Sequence, residues 1–584
     1  MDVLPPVVRD VTAKAESIPE ASAQQSSQAL DVLVHAAEAR ATFGLSPVAL
    51  VLAYLDWAIH LANAPFRCLE LAQSAMRQFG RLLEAAQGRT VILPAPGDHR
   101  FTTAAWNALP FNLTEQALLL AEEWWAAAAS APAGTARAND RIVSFAARQW
   151  VDMFSPSNVP WLNPEVIDAT VNTCGHNLLR GAVNWLDDAR AAFGGPPASS
   201  GFVVGEDLAA TPGKVILRNE LMELIQYVPA TPLVRREPVL IVPAWIMKYY
   251  ILDLSSHNSL IRWLVGQGHT VFAISWRNPG AEMRETSLED YRTKGVLAAL
   301  DAVEAICDGA PTHAVGYCLG GTLLSIAAAA MARDGDQRLA SVTLFAAQTD
   351  FTEAGELQLF ITEDQLDFLD DLMRAQGYLD TRQMAGAFGM LRSNDLIWSR
   401  LIRQYLLGER EHPSDLMAWN ADGTRMPARM HSEYLHRLFL DNELAEGHLT
   451  AGGKPVSMGD IHVPLFAVGT ETDHIAPWRS VYKLHLQNNG DLTFVLTSGG
   501  HNAGVVSEPG HRHRHYRIHR RRRGLPYLGP DDWMAQAELH EGSWWPAWQA
   551  WLTAHSTEKI TPPGLGNEQF PPLDAAPGRY VREN

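Results

Sequence analysis

Apolar residues recur along this 584-residue chain with two different periods, and the change of period divides it. From about residue 31 to 200 they return every third or fourth position, which places them on one face of a helix. Ser46-Pro47 reads as an N-cap and first-turn proline opening an apolar helix that stops near Asn63-Ala-Pro65. Further helices are predicted over 66–86, 114–129, 138–154 and 164–193, with no strand among them. Residues 1–30, rich in Ala, Ser, Gln, Pro and Glu, are expected to form a flexible arm, and the Gly-, Pro- and Ser-rich stretch 194–201 a linker.

Beyond that linker the apolar runs shorten and become rich in Val, Ile, Leu and Phe. Strands are predicted at 215–217, 224–228, 239–242, 270–275, 313–315, 341–345, 465–468 and 493–496. Helical or loop segments separate most of them. This alternation implies a mostly parallel sheet with helices on both faces and a ligand site at the carboxyl ends of the strands. From about 351 to 442 the rhythm gives way to a helical stretch rich in Trp, Tyr, Leu and Met, placed to cap that site.

One stretch ties the pattern to chemistry. In His313-Ala-Val-Gly-Tyr-Cys-Leu-Gly-Gly-Thr322 an apolar run ends at Gly316 and an Ala-rich helical run begins after Gly321. Cys318 therefore sits on a sharp strand-to-helix turn, the nucleophile elbow of an α/β-hydrolase fold, with glycines two before and two after it. The helix behind it directs N–H groups and a positive dipole end at the sulfur. In such folds an acid and then a histidine follow in sequence. Asp473 lies just past the strand over 465–468, and His501, in Ser498-Gly-Gly-His501, just past the strand over 493–496. Cys318, Asp473 and His501 are thus the expected nucleophile, orienting acid and base, with Glu471 and His474 as second choices for the acid position. The expected oxyanion hole combines the backbone N–H of Leu319 with one from the loop after Val242, near Trp245.

Composition narrows the rest. A net charge of −18 argues against a general nucleic-acid binder, which needs a basic face. Four cysteines, Cys68, Cys174, Cys307 and Cys318, make no disulfide framework in a chain this long, which fits a reducing cytoplasm. No secretory signal is read at the N-terminus, and the longest apolar stretch, from 48 to 62, is too short for a membrane span. No cofactor or metal is expected. The dense run His511-Arg-His-Arg-His-Tyr-Arg-Ile-His-Arg-Arg-Arg-Arg523 reads foremost as a solvated loop, with anion binding as the alternative.

With those residues placed, the chain resembles a polyhydroxyalkanoate synthase of the single-subunit class I type. The resemblance runs through Val242-Pro-Ala-Trp-Ile-Met-Lys-Tyr-Tyr, Ser275-Trp-Arg-Asn-Pro279, Gly316-Tyr-Cys-Leu-Gly-Gly321, Leu391-Arg-Ser-Asn-Asp-Leu-Ile-Trp398, Asp473-His-Ile-Ala-Pro-Trp478, Gly500-His-Asn-Ala-Gly504 and Gly542-Ser-Trp-Trp-Pro546. It implies polymerisation of (R)-3-hydroxyacyl-CoA into a polyester with release of CoA, through a thioester on Cys318. It also implies a homodimer associated with cytoplasmic polyester granules. On this basis the chain divides into the arm at 1–30, a helical dimerisation and granule-associated domain at 31–200, a catalytic domain at 201–560 and a tail at 561–584. The family usually has Pro-Pro and a nearby Asn in the loop after the strand at 239–242, where this chain has Pro243-Ala244 and Met247. Two other readings use the same residues: a cysteine-dependent hydrolase such as a thioesterase or dienelactone hydrolase, and a granule-coating protein without turnover.

Overall fold

The computed structural model describes residues 44–95, 97–130, 132–192, 201–381, 397–410 and 413–583, with the single positions 32, 34, 35, 38, 39, 42, 383, 384, 386 and 393. The expected arm over 1–30, the linker positions 194–200 and most of the 391–398 motif lie outside the described residues.

The first helices begin where their caps predict. In α1 (Pro47–Ala62) the Ser46 side chain accepts the Ala49 N–H, satisfying one of the amides that a helix start leaves unpaired. Asn63 ends it, and α2 (Pro65–Ala85) follows at 95°. No single helix among the described residues is long and apolar enough to cross a membrane, and this bent pair reaches that length only jointly. Next come α3 (Phe111–Ala129) and α4 (Arg137–Met153). The single helix expected over 164–193 is two, α5 (Pro164–Asn172) and α6 (His176–Ala192). Cys174 and Gly175 between them have φ of 50° and 81°. Left-handed backbone of this kind ends a helix, while the apolar period runs on across the break.

The second half builds one ten-stranded sheet. Its strands are β1 (Gly213–Arg218), β2 (Met222–Tyr227), β3 (Val239–Val242), β4 (Val271–Trp276), β5 (Thr312–Tyr317), β6 (Leu339–Phe345), β7 (Leu465–Thr470), β8 (Leu492–Thr497), β9 (His515–Arg521) and β10 (Glu538–Glu541). The spatial order is β1-β2-β4-β3-β5-β6-β7-β8-β9-β10. From β4 to β8 neighbours are parallel, and the two strands at each end are antiparallel. Every residue of β3, β4, β5, β7 and β8 is buried, which explains their continuous rather than alternating apolar runs. The helix after β5, α7 (Leu319–Arg333), is buried from Leu319 to Met331, and its run of alanines keeps it close to the sheet.

The basic run is a strand, not a solvated loop. β9 pairs along its length with β8 and, over His515 to Ile518, with β10, whose Glu538 and Glu541 face it. Its basic side chains are placed individually. Arg520 pairs with Asp491, His515 with Glu471, and buried Arg521 donates to the carbonyls of His485 and Asn488. Among the described residues no cluster of three or more His, Cys, Asp or Glu side chains is arranged to hold a metal.

The insertion between β6 and β7 is helical, with α8 (Glu363–Gln376) and α9 (Ala428–Tyr434) as its main elements. Its ends are drawn together where the Phe351 N–H donates to Asn442 Oδ1 at 2.9 Å. The last residues lie along the opposite edge of the sheet. Val215 N donates to Asp574 O, Ala576 N to Gly213 O, and the Arg579 and Tyr580 N–H groups to the buried Glu223 carboxylate.

Candidate active site

Cys318 is where the expected turn places it. It joins β5 to α7 with φ 54° and ψ −126°, a conformation that a non-glycine residue holds only when its surroundings impose it. Its own N–H donates to Phe345 O at 2.9 Å, and its carbonyl receives the N–H groups of Gly321 and Thr322. The glycines are required by contact. A Cβ on Gly316 would lie 2.3 Å from the Gly321 Cα, and one on Gly320 would lie 2.2 Å from Val242 O and 2.4 Å from Pro243 O. The elbow is thus pressed against the start of the loop after β3. All four cysteines are free thiols.

The structure brings Cys318, His501 and Asp473 together. His501 Nδ1 lies 2.8 Å from Asp473 Oδ2, and both side chains are buried. Asp473 is fixed on every side: Oδ2 also accepts from Thr470 Oγ1 at 2.9 Å, and Oδ1 from the N–H groups of Ile475 and Ala476 at 2.9 and 2.8 Å. Burial pushes this carboxyl up, but the His501 charge and these hydrogen bonds prevail and hold it below the usual carboxylate range. For His501 burial disfavours the imidazolium. The Asp473 carboxylate first, which is hydrogen-bonded to the ring, and then the neighbouring Cys318 outweigh it and raise the ring well above an ordinary histidine. Of the rivals for the acid position, Glu471 is turned to His515. His474 lies in a separate polar cleft with Arg148 and Arg403.

The Leu319 and Trp245 N–H groups donate to no backbone carbonyl among the described residues, as donors to an oxyanion must. The loop carrying Trp245 is fastened from several sides. Trp276 Nε1 donates to Pro243 O at 2.8 Å, Thr424 Oγ1 to Trp245 O at 2.7 Å, and Trp419 Nε1 to Lys248 O at 2.8 Å. Two of these three fastenings come from the cap.

Sequence reasoning missed two tyrosines. Tyr317 donates to Asn502 Oδ1 at 2.5 Å, and its ring stands 5.7 Å from that of His501, so it braces the histidine loop. Tyr434, in α9, stands edge-on to Trp245 at 5.7 Å. Burial first, and then the Cys318 charge, push both phenols well above their ordinary range. Tyr317 adjoins Cys318 in sequence and was available for notice. Tyr434 sits in an apolar helical stretch that reads as core, with no spacing that ties it to Cys318.

Comparison with known proteins decides the family. The poly(3-hydroxyalkanoate) polymerase of Methylorubrum extorquens is 41% identical over 522 residues, which cover 88% of this chain and 86% of that protein. The corresponding polymerase subunits of Rhizobium meliloti and Cupriavidus necator are 38% and 36% identical, over 89% and 90% of this chain and 86% and 90% of their own lengths. The chain belongs to the poly(3-hydroxyalkanoate) polymerase family. It is accordingly an enzyme, a transferase of polyhydroxyalkanoate biosynthesis. The family described as Poly-beta-hydroxybutyrate polymerase (PhaC) N-terminus matches residues 97–264, and Poly-beta-hydroxybutyrate polymerase N terminal matches 25–67. The alpha/beta hydrolase fold family matches 237–507, the span from just before β3 to just past His501.

Proposed function

We propose that this polymerase builds its polyester on Cys318, with (R)-3-hydroxyacyl-CoA as the monomer. Sγ attacks the thioester carbonyl, the bond from acyl carbon to CoA sulfur breaks, and the departing thiolate takes the proton that His501 received from Cys318. The 3-hydroxyl of a second monomer then gives its proton to His501 and attacks the acyl carbon. A C–O bond forms, the bond to Sγ breaks and His501 returns its proton to Sγ; the lengthened acyl-CoA then reacylates Cys318 by the first step, and the second monomer's CoA leaves. Asp473 keeps the proton of His501 on Nδ1 so that Nε2 is free to take and return the transferred one. Leu319 and Trp245 N–H groups receive the oxyanion of each tetrahedral intermediate. No cofactor enters these steps.

The observation that carries this reading is the buried Cys318, His501 and Asp473 relay at the start of α7. Cysteine suits the chemistry. Exchanging one thioester for another is nearly balanced and keeps the acyl group activated, and transfer to a hydroxyl is downhill. Burial beneath the cap favours the hydroxyl over water as acceptor. The exposed apolar side chains of α1 and α2, among them Val51, Tyr54, Ile59, Phe66 and Phe79, support contact with a cytoplasmic polyester granule or a second subunit.

The test is CoA release from (R)-3-hydroxybutyryl-CoA, followed by a thiol reagent, with the acyl product isolated and the enzyme digested for mass spectrometry. Insoluble polyester, an acyl mass on the Cys318 peptide, and loss of both in Cys318→Ala are expected. Soluble hydroxy acid as the only product, or an unchanged rate in Cys318→Ala, would overturn the reading.

A further inference from the structure

The chain grown on Cys318 must leave a buried site, and two adjoining cavities begin beside the next residue, Leu319. The inner one, of about 100 Å³, is walled by Leu319, next to the nucleophile, by Ile246 of the loop after β3, and by Tyr434 and Phe439 of the cap. The outer one, of about 170 Å³, lies between α1 and α4, lined by Leu50, Ala146, Trp150 and Met153. Leu45, Phe360 and Gln365 belong to both walls and form the neck between them. The outer mouth is marked by three exposed side chains, Leu50, Trp150 and Met153.

The lining is mostly apolar. Among the described residues no Asp, Glu, Lys or Arg side chain lines either cavity. The histidine in the inner wall, His431, is held neutral because burial lowers its pKa to about 3. The polar groups at the neck satisfy one another: Gln365 Nε2 donates to Gly44 O at 2.5 Å, and Ser46 N–H donates to Gln365 Oε1 at 2.8 Å. A wall without charged side chains among the described residues, and with its neck amide Gln365 already paired, disfavours the phosphates of CoA and accepts an aliphatic ester chain.

We infer that these two cavities form the exit path of the growing polyester, which runs from Cys318 past the Leu45, Phe360 and Gln365 neck and emerges between α1 and α4. This assigns the segment just before α1 a place in the enzyme's own product channel. Gln365 holds that segment against the cap, and the mouth opens beside the exposed apolar face of α1. The inference rests on Cys318 carrying the chain.

The experiment uses the wild-type protein and an oligomeric 3-hydroxybutyryl-CoA whose far end bears a benzophenone. After one turnover the sample is irradiated and its peptides are mapped. Acylated Cys318 together with cross-links to residues of α1 and α4 around the outer cavity is the expected result. Acylated Cys318 with cross-links confined to other surfaces overturns the exit path and leaves the catalytic proposal standing. An unacylated Cys318 overturns both. Ala146→Trp, which fills the outer cavity, is then compared with Val48→Trp, on an exposed part of α1. The first is expected to shorten the polymer severalfold while the first-turnover release of CoA stays at the wild-type level. Polymer of wild-type length from Ala146→Trp would count against the path.

Discussion

Asp473→Asn isolates the electrostatic part of the relay with little change of shape. The Oδ1 side would survive, because an amide oxygen accepts the Ile475 and Ala476 N–H groups as the carboxylate does at 2.9 and 2.8 Å. The other side inverts. An NH2 would replace Oδ2, which now accepts from Thr470 Oγ1 and lies 2.8 Å from His501 Nδ1. The threonine hydroxyl can rotate and become an acceptor. The ring can comply only by giving up its proton at Nδ1 and carrying it on Nε2, and that tautomer has no lone pair to take the Cys318 proton. Losing the correct tautomer in a comparable triad costs about 10⁴-fold in rate. A loss of about 10³- to 10⁴-fold is expected here, roughly 4–5.5 kcal/mol at 1.36 kcal/mol per decade.

The assay is the initial rate of CoA release, with far-ultraviolet circular dichroism as the check on folding. Asp473→Ala supplies the contrast, because it leaves the ring free to choose either tautomer. The asparagine variant should retain no more activity than the alanine variant although it is closer in shape. A purely structural role for Asp473 predicts the reverse order. If Asp473→Asn keeps more than about a tenth of the wild-type rate, the loss is under 1.4 kcal/mol and tautomer control by this carboxylate is refuted.

Gly320→Ala would bring a Cβ to 2.2 Å from Val242 O and 2.4 Å from Pro243 O, so it is expected to displace the loop after β3 and lower the rate of CoA release by at least about 10²-fold, the cost of one oxyanion donor. Thr424→Val should lower the maximal rate while Thr424→Ser restores it, because only the hydroxyl holds Trp245 O; steady-state kinetics of the pair decides. Acid should unfold the protein early. Burial lowers His269 and His313 to about 4 and His431 and His485 to about 3, so stability present above pH 6.5 is lost as the pH falls through that window, at about 1.4 kcal/mol per pH unit per histidine. His501 acts in the opposite sense: its raised pKa gives stability present below 6.5 and lost as the pH rises through the folded value. Removing one of the buried neutral histidines should make urea midpoints fall more gently from pH 6.5 to 5 in His313→Gln than in wild type.

The inner strands were legible because burial on both faces makes them continuous apolar runs, and the relay because glycines and strand ends mark its three positions. β9 was hidden for the opposite reason. Its only apolar residues are Tyr516 and Ile518, and the others are His and Arg on both faces. A pattern test that weighs hydrophobicity sees a charged loop. What makes the strand possible lies elsewhere in the chain: the carboxylates of Glu471 and Asp491, and the carbonyls of His485 and Asn488 that admit Arg521 to the interior. The break at Cys174 was hidden likewise, since backbone handedness leaves no mark on apolar spacing.

The loop after β3 carries the same reasoning into the site. Ala244 leaves the backbone after Pro243 without a second stiffening ring, and Met247 offers no amide side chain, so the sequence alone leaves the loop's shape open. Its restraint comes from the cap. Met247 pairs with Gly423 in an isolated antiparallel bridge, the Thr424 N–H donates to Ile246 O at 3.3 Å, and Thr424 and Trp419 hold the carbonyls of Trp245 and Lys248. A loop fastened this way keeps the Trp245 N–H, the proposed oxyanion donor, in place only while residues 419–424 stay seated. Movement of that part of the cap would therefore alter the rate of chemistry as well as access to Cys318, a coupling that a proline-stiffened loop would not need.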